Sequence, residues 1–337
     1  MVVGTAGTMR IAVVGGGSWG TTVASLTAAH GPTVLWARRP EVVDAVNTAH
    51  ANPEFLPGAE LHADLRASAS LRETVADADV LVMAVPSQGF RSVLAEAAPH
   101  VRAWVPVVSL SKGLEEGTRL RMSEVAGEVL PGHPVAVLTG PNLASEIAAG
   151  QPAAAVVAID DAVIARALQD LFSAPHFRVY TNSDVTGCEI SGVVKNVIAI
   201  ASGIVHGLGL GENTKAALIT RGLAEMTRLA VALGGDALSV AGLAGVGDLI
   251  ATCSSTASRN MSTGMRLGRG ERLEDILRGT KMVAEGVRSS RVLLELAAAH
   301  GVDMPIVEQV VRVCHEGTPV DEALVALMSR SAKPEIR

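Results

Sequence analysis

The run Arg10 to Val14 leads directly into Gly15-Gly16-Gly17-Ser18-Trp19-Gly20, and no other feature narrows the folds open to this chain as much. An apolar strand, a G-x-G-x-x-G turn, an apolar-periodic stretch from Ser18 to Ala29 and a second short strand, Thr33 to Trp36, follow in order. The glycine pattern alone is weak, but between a strand and a helix it has a physical reading. Gly15 permits the tight turn, Gly17 lets the backbone approach a pyrophosphate, and Gly20 allows close helix–strand packing. The helix N-terminus then faces the phosphates. The competing reading, an ordinary glycine-rich turn, explains none of the flanking order.

The rest of the first half continues the alternation. Glu41 to Ala49 reads as a helix; Val80 to Val85, Val105 to Leu110 and Val135 to Leu138 are short apolar runs, broken only by Ser109, and closed by Pro86, Gly113 and Thr139-Gly140-Pro141. Such runs are what buried parallel strands look like. Ala153 to Ile159 and Phe177 to Tyr180 add two more strands. Beyond Asp184 the strand signal fades and helical stretches take over at 185–207, 213–233, 286–300 and 305–316, broken at 207–211, 234–235 and 242–247. The expected architecture is α/β: a Rossmann-type, doubly wound parallel-sheet domain over 9–184, then an all-helical domain over 185–337. The cleft between them is the expected site.

Composition restricts the partners. The 337 residues are 48% apolar and only 2% aromatic, so the core must be aliphatic. A net charge of −6 offers no field for nucleic acid or an anionic membrane. Three scattered cysteines, Cys188, Cys253 and Cys314, show no metal spacing and read as buried free thiols of a reducing compartment. Ile190 to Leu210 is the longest apolar stretch, but Lys195, Asn196 and His206 interrupt it, so no bilayer span is expected. The N-terminus lacks a signal-peptide pattern, and residues 1–8 read as a disordered extension. A cytoplasmic protein is the expectation.

Several polar residues stand in apolar surroundings. Arg38 and Arg39 follow the second strand, where an NAD site usually places an acid; they could pair with a 2′-phosphate, which favours NADP(H), while Glu41 leaves NAD(H) usable. Two solvated surface arginines are the alternative. Lys112 follows an apolar strand, at the edge where ligands bind in open sheets, or is a loop lysine. Lys195 lies in Ile190-Ser191-Gly192-Val193-Val194-Lys195-Asn196, apolar on nearly every helical face, with Glu189 out of i,i+4 register. A buried unpaired ammonium lowers its pKa or finds a distant partner, and either suits acid/base work near neutrality. The alternative is a helix-edge lysine reaching water. The run Gly242 to Cys253 offers the partner, Asp248, and a hydroxyl, Thr252. Ser258-Arg259-Asn260 could hold a phosphate or oxyanion. His206 and His176 fit capping or core roles better than catalysis, and no metal site is expected.

Together these motifs resemble the bacterial NAD(P)-dependent glycerol-3-phosphate dehydrogenases from about Met9 to Met328. The shared segments are the Trp19 fingerprint, Ser111-Lys112-Gly113, Thr139-Gly140-Pro141, Val194-Lys195-Asn196, Thr220-Arg221-Gly222-Leu223, Gly242 to Thr252, Ser258-Arg259-Asn260 and Glu285-Gly286-Val287. The resemblance implies reversible reduction of dihydroxyacetone phosphate to sn-glycerol 3-phosphate, feeding glycerophospholipid synthesis. It implies Lys195 as proton donor and acceptor, with Lys112, Asp248 and Thr252 completing the polar site. It implies cofactor contacts from Gly15, Gly17, Ser18, Trp19, Gly20, Arg38, Arg39, Lys112, Ala144, Arg259, Val283 and Glu285. Substrate contacts would come from Lys112, Gly140, Asn142, Lys195, Asp248, Ser258, Arg259 and Asn260. The family usually carries Ser or Thr at the position of Asn142, whose amide is larger and differs in donor geometry. The rival readings are a dehydrogenase of another hydroxy acid or sugar phosphate, and a nucleotide-binding sensor without turnover. Apolar helical faces make a homodimer an expectation.

Overall fold

The computed structural model describes residues 9–278, 284–331 and 334. One sheet contains β1 (Ile11–Val14), β2 (Thr33–Trp36), β3 (Arg66–Ser68), β4 (Val80–Met83), β5 (Val107–Ser109), β6 (Val135–Thr139), β7 (Ala153–Ala158) and β8 (Phe177–Asn182). Their spatial order is β3-β2-β1-β4-β5-β6-β7-β8. The first six are parallel; Ile11 pairs with Thr33 on one side and Val80 on the other. Chain order reverses between β1 and β4, so a crevice opens at their carboxyl ends.

The expectation of a parallel sheet needs one correction. β7 runs antiparallel to β6, and β8 follows β7 in parallel. The β6–β7 connection carries only the five-residue helix Ala144–Ala148, not the longer helical crossover that normally returns a chain to a parallel start. The strand Arg66–Ser68 has no apolar signature because it lies at the sheet edge. β4 and β5 are shorter than their apolar runs; the remaining residues leave the sheet toward Ser87 and Lys112.

Among the described residues, seven α-helices accompany the sheet: α1 (Ser18–Ala28), α2 (Pro40–Ala49), α3 (Leu71–Val75), α4 (Ser87–Ala97), α5 (Met122–Val129), α6 (Ala144–Ala148) and α7 (Ala162–Phe172). The remainder is helical: α8 (Val185–Gly207), α9 (Glu212–Ala232), α10 (Ala237–Ala241), α11 (Asp248–Ser254), α12 (Arg259–Gly268), α13 (Leu273–Arg278), α14 (Glu285–Ala299), α15 (Pro305–His315) and α16 (Val320–Met328). Between α10 and α11, Leu243–Gly247 forms a π-turn.

α8 is the axis of the second half. Every residue from Gly187 to Val205 is buried, with α9, α11, α12 and α14 packed round it. By length and mean hydropathy of 1.5 it could cross a bilayer, contrary to the reading of its polar interruptions; its apolar window is entirely buried inside the protein, which makes it a core helix. Glu189 finds its partners across the fold: Arg121 donates at 2.9 Å and the Ser123 backbone N–H at 2.9 Å.

α8 and α12 meet backbone to backbone. A Cβ on Gly203 would lie 2.2 Å from the Met261 carbonyl oxygen, and one on Gly264 would lie 2.0 Å from that of Ile200. Gly207 and Gly268 repeat the contact one turn later. This crossing fixes where the start of α12, with Arg259 and Asn260, sits against α8. Gly203→Ala should therefore cost about 1–3 kcal/mol in urea unfolding, as overpacking does. Gly127→Ala, exposed within α5 with nothing near its Cβ position, should instead gain up to about 1 kcal/mol. Equal effects at the two sites would contradict the crossing.

Candidate active site

The loop after β5 delivers Lys112, α8 delivers Lys195, and the turn after α10 delivers Asp248 at the start of α11. Burial removes water from all three, so their charges must answer one another. Asp248, 1% exposed, accepts from Lys112 Nζ on Oδ2 at 2.6 Å and lies 3.1 Å from Lys195 Nζ through Oδ1. Lys195 also donates to Thr252 Oγ1 at 2.8 Å, and that hydroxyl donates on to Asp248 Oδ1 at 3.2 Å. Lys112 donates a second bond to the Gly140 carbonyl at 3.0 Å. Gly140 holds φ +126°, a conformation open to glycine and closed to most side chains. Lys112, Lys195, Asp248, Thr252 and Gly140 thus form one connected cluster.

The electrostatics follow from that packing. Burial pulls Lys195 down to about 8, with Lys112 adding to the fall and Asp248 opposing it. Burial alone would raise Asp248, but the two ammonium groups outweigh it and hold the carboxyl below its usual range. Two cations and one anion leave the cluster a net positive charge, suited to an oxyanion. Burial pushes the neighbouring Cys253 thiol up to about 12, so it stays protonated and packs.

A chain of amides closes the other side. Asn196 donates to the Lys112 carbonyl at 3.1 Å; Asn260 donates to Asn196 at 2.9 Å and accepts from the Gly286 N–H at 3.0 Å. Asn260 is thereby committed partly to joining α8, α12 and α14. Ser258 spends its hydroxyl as N-cap of α12, accepting from the Met261 N–H at 3.3 Å. Arg259 is the first residue of that helix and is exposed. Both amide atoms of Asn142, with Thr139 Oγ1 and Ser191 Oγ, are buried without a partner among the described residues.

The dinucleotide cradle is built as its glycines require. Gly15 takes φ +128°, and a Cβ there would lie 2.6 Å from the Ala84 carbonyl oxygen. A Cβ on Gly20 would lie 2.1 Å from the Gly15 carbonyl. Gly17 faces open space and caps α1 without a side chain, leaving the helix N–H groups for an anion. Ser18 donates to the Phe55 carbonyl at 2.5 Å. Trp19 stands edge-on to Phe177 at 6.0 Å, its buried Nε1 without a partner among the described residues. The Ala144 carbonyl accepts from Thr22 at 3.4 Å, which brings α6 to α1. Open space at Gly17 and the uncapped N–H groups fit a pyrophosphate.

Arg38 is exposed and makes no ion pair among the described residues, whereas Arg39 is engaged by Glu54 and lies 3.7 Å from Glu41. Glu285 accepts from Ser87 Oγ at 2.9 Å, tying α14 to α4. Val283 lies outside the described residues. His206 is exposed in the last turn of α8, roughly 16 Å along the helix from Lys195. His176 lies in the turn before β8, half-buried. Sequence reasoning attached no role to Asn196, Gly192 or Ser87. Gly192 lets the Lys112 stem lie against α8, its Cβ position being 3.4 Å from Lys112 Cγ; its i,i+3 spacing to Lys195 was a usable signal. Ser87, just past a strand end, was another.

A nucleotide cradle at the switch point of a doubly wound sheet, with a buried Lys–Asp–Lys cluster that ties the loop after β5 to the helical half, defines a Rossmann-type dehydrogenase. The profile described as "NAD-dependent glycerol-3-phosphate dehydrogenase N-terminus" matches residues 10–165, and its C-terminus counterpart matches 184–325. The chain belongs to the NAD-dependent glycerol-3-phosphate dehydrogenase family. It is 56% identical over 330 residues to the glycerol-3-phosphate dehydrogenase [NAD(P)+] of Thermobifida fusca, covering 97% of this chain and 98% of that one. The Streptomyces coelicolor protein of the same name is 54% identical over 332 residues, covering 98% and 99%. The crystal structure of a glycerol-3-phosphate dehydrogenase from Coxiella burnetii superposes with a TM-score of 0.92 at 36% identity, covering 96% and 99%.

The site makes a stability prediction. An unfolded Lys195 titrates near 10.5 and the folded one near 8. Below about pH 8 both states carry the proton and the burial penalty stands in full. Between the two values the unfolded state holds more protons, so this lysine's contribution to stability improves as pH rises. Urea unfolding from about pH 7.5 to 10 should show that rise in the parent and lose it in Lys195→Met. Parallel pH curves would contradict a buried ammonium.

Proposed function

We propose that this chain interconverts dihydroxyacetone phosphate and sn-glycerol 3-phosphate with NAD(P)(H), Lys195 exchanging the proton at the substrate oxygen. The observation that carries this reading is the Lys195 ammonium, drawn down to about 8 and held 3.1 Å from Asp248. A group near neutrality can both give and take a proton. Bound in the cradle, the nicotinamide supplies or accepts the hydride. Lys112 and Lys195 offset negative charge growing on the substrate oxygen. Asp248 and Thr252 orient Lys195. Arg259 and the first turn of α12 hold the phosphate, with Asn260 and Ser258 setting that turn, so remote binding energy orients the carbonyl. Gly140 and Asn142 border the substrate; the unpartnered amide of Asn142 supports a contact there.

Residues 9–184 are read as the nucleotide-binding unit and 185–337 as the substrate-binding unit. Gly15, Gly17, Ser18, Trp19, Gly20 and Ala144 serve the nucleotide, with Lys112, Arg259, Val283 and Glu285 from the cleft side. Arg38, exposed and free of an ion pair among the described residues, favours a 2′-phosphate and hence NADP(H); Arg39 shares its charge with Glu54. The product would enter glycerophospholipid synthesis. Three free buried cysteines fit the cytoplasm. A homodimer belongs to the same reading: a cavity of about 1600 Å³ runs along α9, α15 and α16, and Val231 and Met328, which line it, are exposed.

Oxidation of NADPH and of NADH on adding dihydroxyacetone phosphate tests the activity, with a higher kcat/KM for NADPH expected. No oxidation with NADPH still bound would turn the assignment to another substrate or to a sensor. Lys195→Ala should lower kcat by about 10²–10⁴-fold with little change in NADPH affinity. Turnover at the parent level would sink the proton-donor role. Reduction needs the ammonium and oxidation the free amine, so kcat should fall above about pH 8 in the first direction and below it in the second. Arg259→Ala should raise the KM for dihydroxyacetone phosphate by about 10- to 100-fold, the range of one charged hydrogen bond. An unchanged KM would remove the phosphate role.

A further inference from the structure

We infer that Gly245 is a positioning residue for Asp248, acting through the π-turn that ends on that carboxylate. The inference rests on the proposed role of Lys195. An α-helix widened to a π-turn is uncommon and often lies at a functional site. Here the Gly247 N–H reaches the Gly242 carbonyl at 3.1 Å, and the Asp248 N–H itself donates to the Leu243 carbonyl. The backbone of Asp248 is thus part of the turn, and any shift of the turn moves the carboxylate.

Gly245 sits at the centre of the turn under a steric constraint. A Cβ there would lie 1.9 Å from the Val240 carbonyl oxygen, against an ordinary contact of about 3.4 Å. Val240 cannot retreat easily. It is fully buried on α10, whose N-cap Asp236 donates its N–H to Asp184 at 2.8 Å, and whose Ser239 accepts from Asn182 at 3.0 Å. The preceding residue, Ala244, clusters with Val137, Val156, Ala158 and Cys188 of the sheet and α8. With α10 tied to Asp184 and Asn182 and Ala244 packed on the sheet, relief of the clash along the chain moves Asp248. Gly247 is a natural comparison: its backbone is ordinary right-handed helix, and a Cβ there meets nothing closer than 3.6 Å.

Asp248 touches Lys112 at 2.6 Å and lies 3.1 Å from Lys195. A displacement of more than an ångström breaks at least one of these contacts. Misplacement on that scale costs on the order of 10²-fold in rate. It also weakens the negative charge that supports the Lys195 ammonium, which moves the pH limb of kcat.

The test compares Gly245→Ala, Gly247→Ala and Asp248→Asn, with the double variant Gly245→Ala/Asp248→Asn, in the full chain. Gly245→Ala should bind NADPH with the parent's Kd, lose about 10- to 100-fold in kcat for dihydroxyacetone phosphate reduction, and shift its pH limb to lower pH. Gly247→Ala should stay within a few-fold of the parent. The double variant should be no slower than Asp248→Asn, because a residue acting through Asp248 has nothing left to act on. Parental kcat and pH limb in Gly245→Ala, equal damage in Gly247→Ala, or additive losses in the double variant would each overturn the inference. If Gly245→Ala yields no folded protein, Ala244→Gly loosens the same turn without a clash: a several-fold loss of kcat with a lowered limb supports the inference, and parental values overturn it. Inactive Lys195→Ala alongside parental Gly245→Ala would reject the positioning role alone; active Lys195→Ala would reject the reading beneath it.

Discussion

Asp248 holds together two ammonium groups that come from opposite halves of the chain, Lys112 from the sheet and Lys195 from the core helix. Removing any of these charges from water is expensive, and the attraction offsets the cost only where geometry is close and the remaining hydrogen-bonding positions are filled. Gly140 and Thr252 fill them. The cluster therefore does two things at once. It fastens the helical half against the carboxyl edge of the sheet, and it leaves one unbalanced positive charge in a buried site.

That arrangement needs a rigid frame. α8 supplies it by being buried from Gly187 to Val205, which leaves the Lys195 side chain almost shut off from water. Glycines at the α8–α12 crossing bring two helix backbones into contact, and the Asn196–Asn260–Gly286 chain continues the same contact in hydrogen bonds. The buried polar site is thus carried by an aliphatic core, consistent with a chain that contains almost no aromatic residues.

Much of this was legible in the sequence where local pattern and burial coincide. The strands β1, β2, β4, β5 and β6 appear as apolar runs because a strand covered on both faces has no polar side to show. The glycine turn is legible because Gly15 and Gly20 answer local steric demands. Lys195 stands out because a lysine in such a stretch needs a reason. The antiparallel β7 was not legible, since a strand's direction depends on how its connection crosses the sheet. Nor was β3, an edge strand held by hydrogen bonds to β2 alone. The apolar length of α8 was masked by Lys195 and Asn196, whose polar ends are satisfied by residues far away in sequence.

By itself the sequence determined the alternation of strand and helix, the nucleotide turn, the aliphatic core and the residue types at the site. These follow from local sterics and from the cost of exposing apolar surface. Only the tertiary structure decided that Lys112 and Lys195 share one carboxylate, that Asn260 and Ser258 spend their polar groups on the fold, and that Glu285 meets Ser87. It also decided that Arg39 meets Glu54 and Arg38 meets no counter-charge among the described residues. Pairings between distant residues depend on the packing of elements that no local window contains, and charge at a buried site has meaning only once its partners are in place.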